Sequence, residues 1–131
     1  MHARAVRLST LLLALAATSP ALADECQNAQ TTIEMNDCAG RNYKAADHQL
    51  NSAFARAISA AKDGDRNVQG VDYSYERALR EAQRAWIVFR DADCKSPPRE
   101  LAGSISTMEE LDCLTQKTIQ RTKELNQRTG K

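Results

Sequence analysis

Four cysteines constrain the fold of this 131-residue chain more than any other feature of its sequence. They are Cys26, Cys38, Cys94 and Cys113. Their number is even, and no two of them form the close Cys-x-x-Cys pair that is typical of a four-thiolate zinc site. We therefore expect two disulfides, no metal and no other cofactor, in a protein that reaches an oxidising compartment.

The first 23 residues have the features of a secretory signal peptide. Two arginines precede an apolar run over residues 11–17, and residues 21–23, Ala-Leu-Ala, form a small-x-small cleavage site. The run is too short to span a bilayer, and no cysteine directly follows the site, so we expect neither a membrane anchor nor a lipid anchor. The sequence thus predicts a signal peptide over 1–23, cleavage after Ala23, and one periplasmic domain over 24–131.

The size and charge of the mature part exclude some classes of function. Cleavage leaves 108 residues, about one small domain, with 16 basic and 17 acidic side chains and hence a net charge of −1. Such a chain has little attraction for nucleic acid or for an anionic membrane. The mature part has a single histidine, His48, and no nucleophile elbow or glycine-rich phosphate loop. We therefore expect a binding protein and not an enzyme, with no catalytic residues.

Apolar periodicity predicts three helices and no strand. A capping box, Thr31 with Glu34, begins the first helix, which continues to about Lys62 with small and apolar residues mostly four apart. Residues 63–70 contain two glycines and no apolar periodicity, so we expect a loop there. Three helices joined by such loops pack most simply up-down-up. The predicted fold is an all-α three-helix bundle stapled by two disulfides.

The second helix is predicted to run from a cap at Asp72 or Ser74 to about Cys94, and the third to begin at a capping box, Ser106 with Glu109. The core face of the third helix is rich in threonine, which suggests either a shallower burial than that of the second helix or hydroxyls bonded to carbonyls one turn back. Four residues of the second helix share one stripe, which we expect to face the core: Leu79, Ala82, Trp86 and Phe89. For Trp86 the alternative is a role as a platform on which a ligand stacks. Four polar residues near the apolar stripes are expected to form interhelical hydrogen bonds, with recognition of a partner as the alternative: Asp47, Asn51, Gln83 and Arg90.

Up-down-up packing gathers the four cysteines at one end of the bundle, which by itself leaves their pairing open. We favour the local pairs Cys26–Cys38 and Cys94–Cys113, in which a loop folds back along the first turns of the next helix. Each disulfide would stabilise the folded protein by about 3 kcal/mol, because it lowers the conformational entropy of the unfolded chain. A bridge between Cys38 and Cys94 is also compatible with the shared end.

A set of polar, aromatic and cysteine residues follows a specific order along nearly the whole mature chain. The order is Thr31-x-x-Glu34-Met35-Asn36-x-Cys38-Ala39, Tyr43-x-x-Ala46-Asp47-x-x-Leu50-Asn51, Gln83-x-x-Trp86-x-x-Phe89-Arg90-Asp91-Ala92-x-Cys94, Gly103-Ser104 and Cys113-x4-Thr118-x-x-Arg121-x3-Leu125. It resembles the lysozyme inhibitor LprI-like domain family, whose members are small exported bacterial proteins with four cysteines and a helical fold. Two residues depart from that pattern: Ala102 stands where a second glycine is usual, and Lys117 where an apolar residue is common.

The resemblance implies a periplasmic lysozyme inhibitor, which would bind the cleft that holds the enzyme's two catalytic carboxylates. The net charge of −1 offers little electrostatic steering toward a cationic lysozyme. The alternative is a structural or interaction module of the cell envelope, without lysozyme inhibition and with another envelope protein as its partner.

One segment, residues 95–104, combines two cations, small hydroxyls and a stiff Pro-Pro, and a Cys94–Cys113 bridge would close it. Lys95 or Arg99 could face an acidic cleft as a charge-assisted pair. A plain solvated connector with Leu101 turned onto the core is the competing interpretation. The candidate partner-binding residues are Lys95, Ser96, Arg99 and Ser104.

Overall fold

The computed structural model describes residues 26, 28–68, 70–98, 101 and 103–130. Three long helices occur in this part of the chain: α1, Thr32–Arg66; α2, Tyr75–Asp93; and α3, Ser106–Arg128. The same part contains no strand, so the predicted all-α class is confirmed. No helix within the described ranges is long and apolar enough to cross a bilayer. The predicted signal peptide lies outside the described residues.

The helices pack up-down-up, as predicted, with α1 in the centre. Helices α1 and α3 run parallel. Their first turns line the same cavity, and nearer their C-terminal ends Arg56 Nη2 of α1 donates a hydrogen bond to Asn126 Oδ1 of α3, 3.0 Å away. Helix α2 runs the opposite way along α1, since Tyr75 at its start packs against Gly64 near the end of α1. The backbones of α2 and α3 approach each other at few points, and side chains bridge the space between them.

The core lies along α1 and is built from small and branched side chains. Leu50 and Leu125 are buried almost completely, and the alanines of α1 allow its neighbours to approach closely. The partly buried rings of Phe54 and Trp86 pack against its edge. The buried members of the core are Leu50, Ala53, Ala57, Ile58, Leu79 and Leu125.

The predicted capping box at the start of α1 is confirmed, but the helix is longer than predicted. It continues to Arg66, so the first residues of the expected 63–70 loop are helical. The extension brings Asp65 to the start of α2, where its carboxylate accepts hydrogen bonds from the Ser74 hydroxyl, 2.8 Å away, and from the backbone N–H of Glu76, 3.2 Å away. Ser74 is the N-cap of α2, one of the two caps predicted.

The predicted core stripe of α2 is wrong at two of its four positions. Ala82 is exposed, and Phe89 is 56% exposed. The side of α2 that faces the core carries two polar residues instead, and its members are Leu79, Gln83, Trp86 and Arg90. Apolar periodicity could not find this side, because Gln83 and Arg90 are buried only through partners on other helices.

Helix α3 begins at Ser106, but the capping box predicted there does not form. The Ser106 hydroxyl donates instead to the carbonyl of Gly103, 2.9 Å away, and so closes the turn that precedes the helix. Farther along, the Thr122 hydroxyl donates to the carbonyl of Thr118 at 2.9 Å, and the Thr115 hydroxyl makes the same kind of bond to the carbonyl of Leu111. The expectation of hydroxyls bonded to carbonyls one turn back is confirmed for Thr115 and Thr122, and the alternative of shallow burial is wrong at Thr118, which is completely buried.

Both favoured disulfides are present. The Cα atoms of Cys26 and Cys38 are 5.7 Å apart, and those of Cys94 and Cys113 are 5.5 Å apart. Each bridge joins a loop to the early turns of the helix that follows it. Because α2 is antiparallel to its neighbours, both bridges lie at the same end of the bundle, which we call the disulfide end.

Candidate functional site

The loop between α2 and α3 emerges from the disulfide end and is held at several points. The Cys94–Cys113 bridge ties its first residue to α3. Just past Cys94, the backbone N–H of Ser96 donates to the Glu110 carboxylate of α3, 3.1 Å away. The two prolines at 97–98 have fixed φ angles and stiffen the backbone of the loop that follows Ser96. A segment held in this way loses less conformational entropy when a partner docks on it.

Apolar side chains of this loop face solvent. Leu101 is 81% exposed, and Ile105, just before α3, is 44% exposed. The backbone N–H of Leu101 donates to the carbonyl of Pro98, 2.8 Å away, which closes a turn. The interpretation in which Leu101 turns onto the core is therefore wrong. Exposed branched side chains at a disulfide-closed turn are suited to contact with another protein.

The structure places three of the four predicted partner-binding residues around this turn. Lys95 and Ser104 are exposed, whereas Ser96 is half-buried. Arg99 lies outside the described residues. Ser104 follows Gly103, whose φ of +78° lies in the left-handed region that glycine adopts without strain.

Behind the loop, the last turn of α2 holds Arg90 in a buried position, 5% exposed. Its guanidinium donates to the Thr118 hydroxyl on α3 at 3.2 Å and to the adjacent Asp91 carboxylate at 2.8 Å. The Asp47 carboxylate of α1 lies 3.9 Å from the same group. One side chain thus links all three helices directly before Cys94, where the loop begins.

Trp86 lies next to two guanidinium groups. The Arg90 carbon Cζ is 5.1 Å from the centre of the Trp86 rings, and that of Arg121 is 5.8 Å away. Arg121 is buried too, and its Nε donates to Gln83 Oε1 at 3.0 Å. Cation–π contacts of this kind favour a packing role for Trp86 over a role as a ligand platform. We call the buried residues Gln83, Arg90, Thr118 and Arg121 the polar layer.

The sequence anticipated only part of the polar layer. Its two members on α2 were expected to join helices, and they do. Asp47 also joins two helices, through its ion pair with Arg90, whereas Asn51 bonds within α1, with its Nδ2 donating to Asp47 Oδ2 at 3.0 Å. The burial of Arg121 was not anticipated. Arg121 lies three residues after Thr118 and four before Leu125, which places it on the same face of α3 as these two residues. That spacing could have predicted its burial.

Tyr43 of α1 completes the surroundings of Arg90, whose Cζ lies 5.5 Å from the centre of the phenol ring. Burial raises the pKa of Tyr43 above its ordinary value of 10.0, against the opposing charge of Arg90. The phenol therefore stays neutral near pH 7. The His48 side chain is exposed on the same helix. These groups support the bundle, whereas the loop exposes Lys95, Leu101 and Ser104 to solvent.

The fold and this surface define a small helical protein that presents a disulfide-closed loop at one end of its bundle. A family model described as "Lysozyme inhibitor LprI" matches residues 23–125. The chain belongs to this LprI lysozyme inhibitor family, as its sequence pattern indicated. At the level of the family, the description is that of an inhibitor and not of an enzyme.

Two bacterial proteins are similar to the chain over much of its length. Uncharacterized protein R02472 of Rhizobium meliloti (strain 1021) is 36% identical over 135 residues, which cover 97% of this chain and 95% of that protein. Uncharacterized protein YecT of Escherichia coli (strain K12) is 30% identical over 97 residues, which cover 70% of this chain and 60% of that protein. No solved structure matches the chain significantly.

Proposed function

We propose that this protein is exported to the periplasm, binds a lysozyme there and obstructs the enzyme's cleft with the loop between α2 and α3. The observation that carries the proposal is the match of residues 23–125 to the lysozyme inhibitor family. Export is supported by the two disulfides, which persist in oxidising compartments, and by the signal-like composition of residues 1–23.

The loop supplies the contacts that such an inhibitor needs. A lysozyme cleft contains two carboxyl groups, and the exposed Lys95 ammonium can form a charge-assisted hydrogen bond with one of them. Arg99 supplies a second cation in the same segment. Leu101, 81% exposed, adds an apolar contact that anchors the loop.

The affinity has to arise from these local contacts. A mature chain of net charge −1 exerts little long-range attraction on a cationic enzyme, so we expect an ordinary association rate. Tight binding would then depend on slow dissociation, which a loop already held by Cys94–Cys113 and by the Ser96–Glu110 hydrogen bond favours.

The direct test is a lysozyme assay on purified cell walls, with the oxidised protein added at about micromolar concentration. We expect lysis to slow in proportion to the protein added. An unchanged rate of lysis would make the proposal wrong and would favour the alternative, an interaction module of the cell envelope that binds another protein.

Loop variants then locate the inhibitory surface. The double variant Lys95→Ala/Arg99→Ala should weaken inhibition about thirtyfold, equivalent to about 2 kcal/mol, and Leu101→Ala by a similar factor. Arg41→Ala/Lys44→Ala is the matched control, since both of its side chains are exposed on α1. Equal inhibition by loop variant and control, at unchanged melting temperature, would place the inhibitory surface elsewhere on the protein.

A further inference from the structure

One side of α2 is largely exposed in the described part of the chain, although Lys117 Nζ of α3 lies 5.2 Å from the centre of the Phe89 ring at its edge. Helix α2 packs on α1, and its contacts with α3 are made by side chains such as Gln83 and Arg90. Val88 is 70% exposed and Phe89 is 56% exposed, although both lie in the interior of the helix. Ala85 and Ala92 beside them are exposed as well. We call these four residues the α2 outer face.

The spacing of this face is that of a seam between two helices. Ala85, Val88 and Ala92 follow one another at intervals of three and four residues, as the a and d positions of a heptad do. In an antiparallel pair, Ala85 of one copy packs against Val88 of the other, and the same contact recurs across a two-fold axis. The alanines are small enough for the two helices to approach closely, with Phe89 covering one side.

The charges that flank the face complement those of an identical copy. Within the described part of the chain, Arg84 forms no hydrogen bond or ion pair, and both contacts of Arg90 with Asp91 use Oδ1, so that Asp91 Oδ2 has no partner. The antiparallel register brings Arg84 beside Asp91 of the second copy. It also brings Glu81 within reach of Lys95 of the second copy, and symmetry forms each pair twice.

We propose that the protein forms a two-fold symmetric dimer through antiparallel packing of its α2 outer faces. The proposed partner is a second copy of the protein because the α2 outer face is flanked by charges of both signs. A partner surface with charges of one sign would pair with Arg84 or with Asp91, but not with both. A parallel pair would set like charges against each other. A single pair of short helices buries a small area, so the dimer is weak, with a dissociation constant of about 10–100 µM.

Sedimentation equilibrium of the oxidised protein, from about 1 µM to about 1 mM, tests the proposal. We expect reversible dimerisation in which Val88→Asp raises the dissociation constant at least about tenfold. Ile33→Asp is the matched control, because Ile33 is 75% exposed but lies on α1. A monomer at every concentration overturns the proposal, as does a dimer that Val88→Asp leaves unchanged.

A charge exchange tests the register independently of apolar contact. Glu81→Lys should raise the dissociation constant about tenfold, since the ammonium that it introduces would face Lys95 of the second copy, and Glu81→Lys/Lys95→Glu should restore it. Lys44→Glu, a charge reversal on the exposed surface of α1, should have no effect. A double variant as weak as Glu81→Lys alone would overturn the antiparallel register, and with it the dimer proposed here.

Discussion

Arg90 Nη1 donates a hydrogen bond to the Thr118 hydroxyl, 3.2 Å away, although the two residues are 28 positions apart in the sequence. Arg90 is 5% exposed and Thr118 is completely buried. The bond joins α2 to α3, as do the hydrogen bond from Arg121 to Gln83 and the ion pair between Lys117 and Asp93, whose charged atoms are 2.7 Å apart. Together these contacts hold α2 on the bundle and position the loop that follows it.

We expect Arg90→Met to lower the free energy of unfolding by about 3 kcal/mol, because it removes a buried charge whose partners lie on all three helices. Urea denaturation measures the change. The control is Arg84→Met, which makes the same substitution at an exposed site and should cost less than about 0.5 kcal/mol. Equal losses for the two variants would show that the polar layer contributes nothing specific.

Trp86→Ala should destabilise the protein by about 3 kcal/mol, since the ring packs against the core cluster and contacts two buried arginines. Trp86→Phe keeps an aromatic ring and should cost about 1 kcal/mol. Thermal and urea unfolding of both variants measure the difference. If Trp86→Ala melts within a degree or two of the parent, the ring is not a packing element.

Removing either disulfide should lower stability by about 3 kcal/mol, because each bridge closes a short loop of the unfolded chain. The two removals should differ in their local effect. Cys94→Ser/Cys113→Ser frees the loop between α2 and α3, so limited proteolysis should cut that loop first. In Cys26→Ser/Cys38→Ser the same loop should resist the protease, and early cleavage there in both variants would contradict this assignment.

Asp65 should make stability depend on pH. Desolvation acts to raise the pKa of its carboxyl, but hydrogen bonds from the Ser74 hydroxyl and from the N–H groups of Tyr75 and Glu76 outweigh it and hold the pKa below its ordinary value of 3.8. The pKa of Asp65 is thus lower in the folded state than in the unfolded state. The ionised carboxylate therefore stabilises the fold fully at pH values above 3.8, and this stabilisation is lost as the pH falls through the folded-state pKa.

Asp65→Asn measures this effect, since asparagine retains an acceptor but no charge. We expect the variant to melt below the parent at about pH 7 and the gap to close by about pH 2. Glu34→Gln should behave in the same way, since backbone N–H groups of Gln30 and Thr31 lower the pKa of Glu34. A melting gap that stays constant over this range would contradict the assignment.

Features that depend on neighbouring residues followed from the sequence alone. The α1 capping box joins Thr31 to Glu34 within a single turn, and the three helices follow from the composition of each segment. The disulfides also pair locally, 12 and 19 residues apart, because each loop closes onto the helix that follows it. Interactions of this kind can be predicted from the sequence because both partners lie close together along the chain.

Only the tertiary structure decided which side of α2 faces the core. An apolar stripe predicted Ala82 and Phe89 inside, yet Gln83 and Arg90 are buried in their place. Burial of a polar side chain is unfavourable unless it finds partners. Here the partners are on α3, with Gln83 bonded 38 residues away and Arg90 bonded 28 residues away. No pattern within α2 contains that information, since it exists only once α3 is in place.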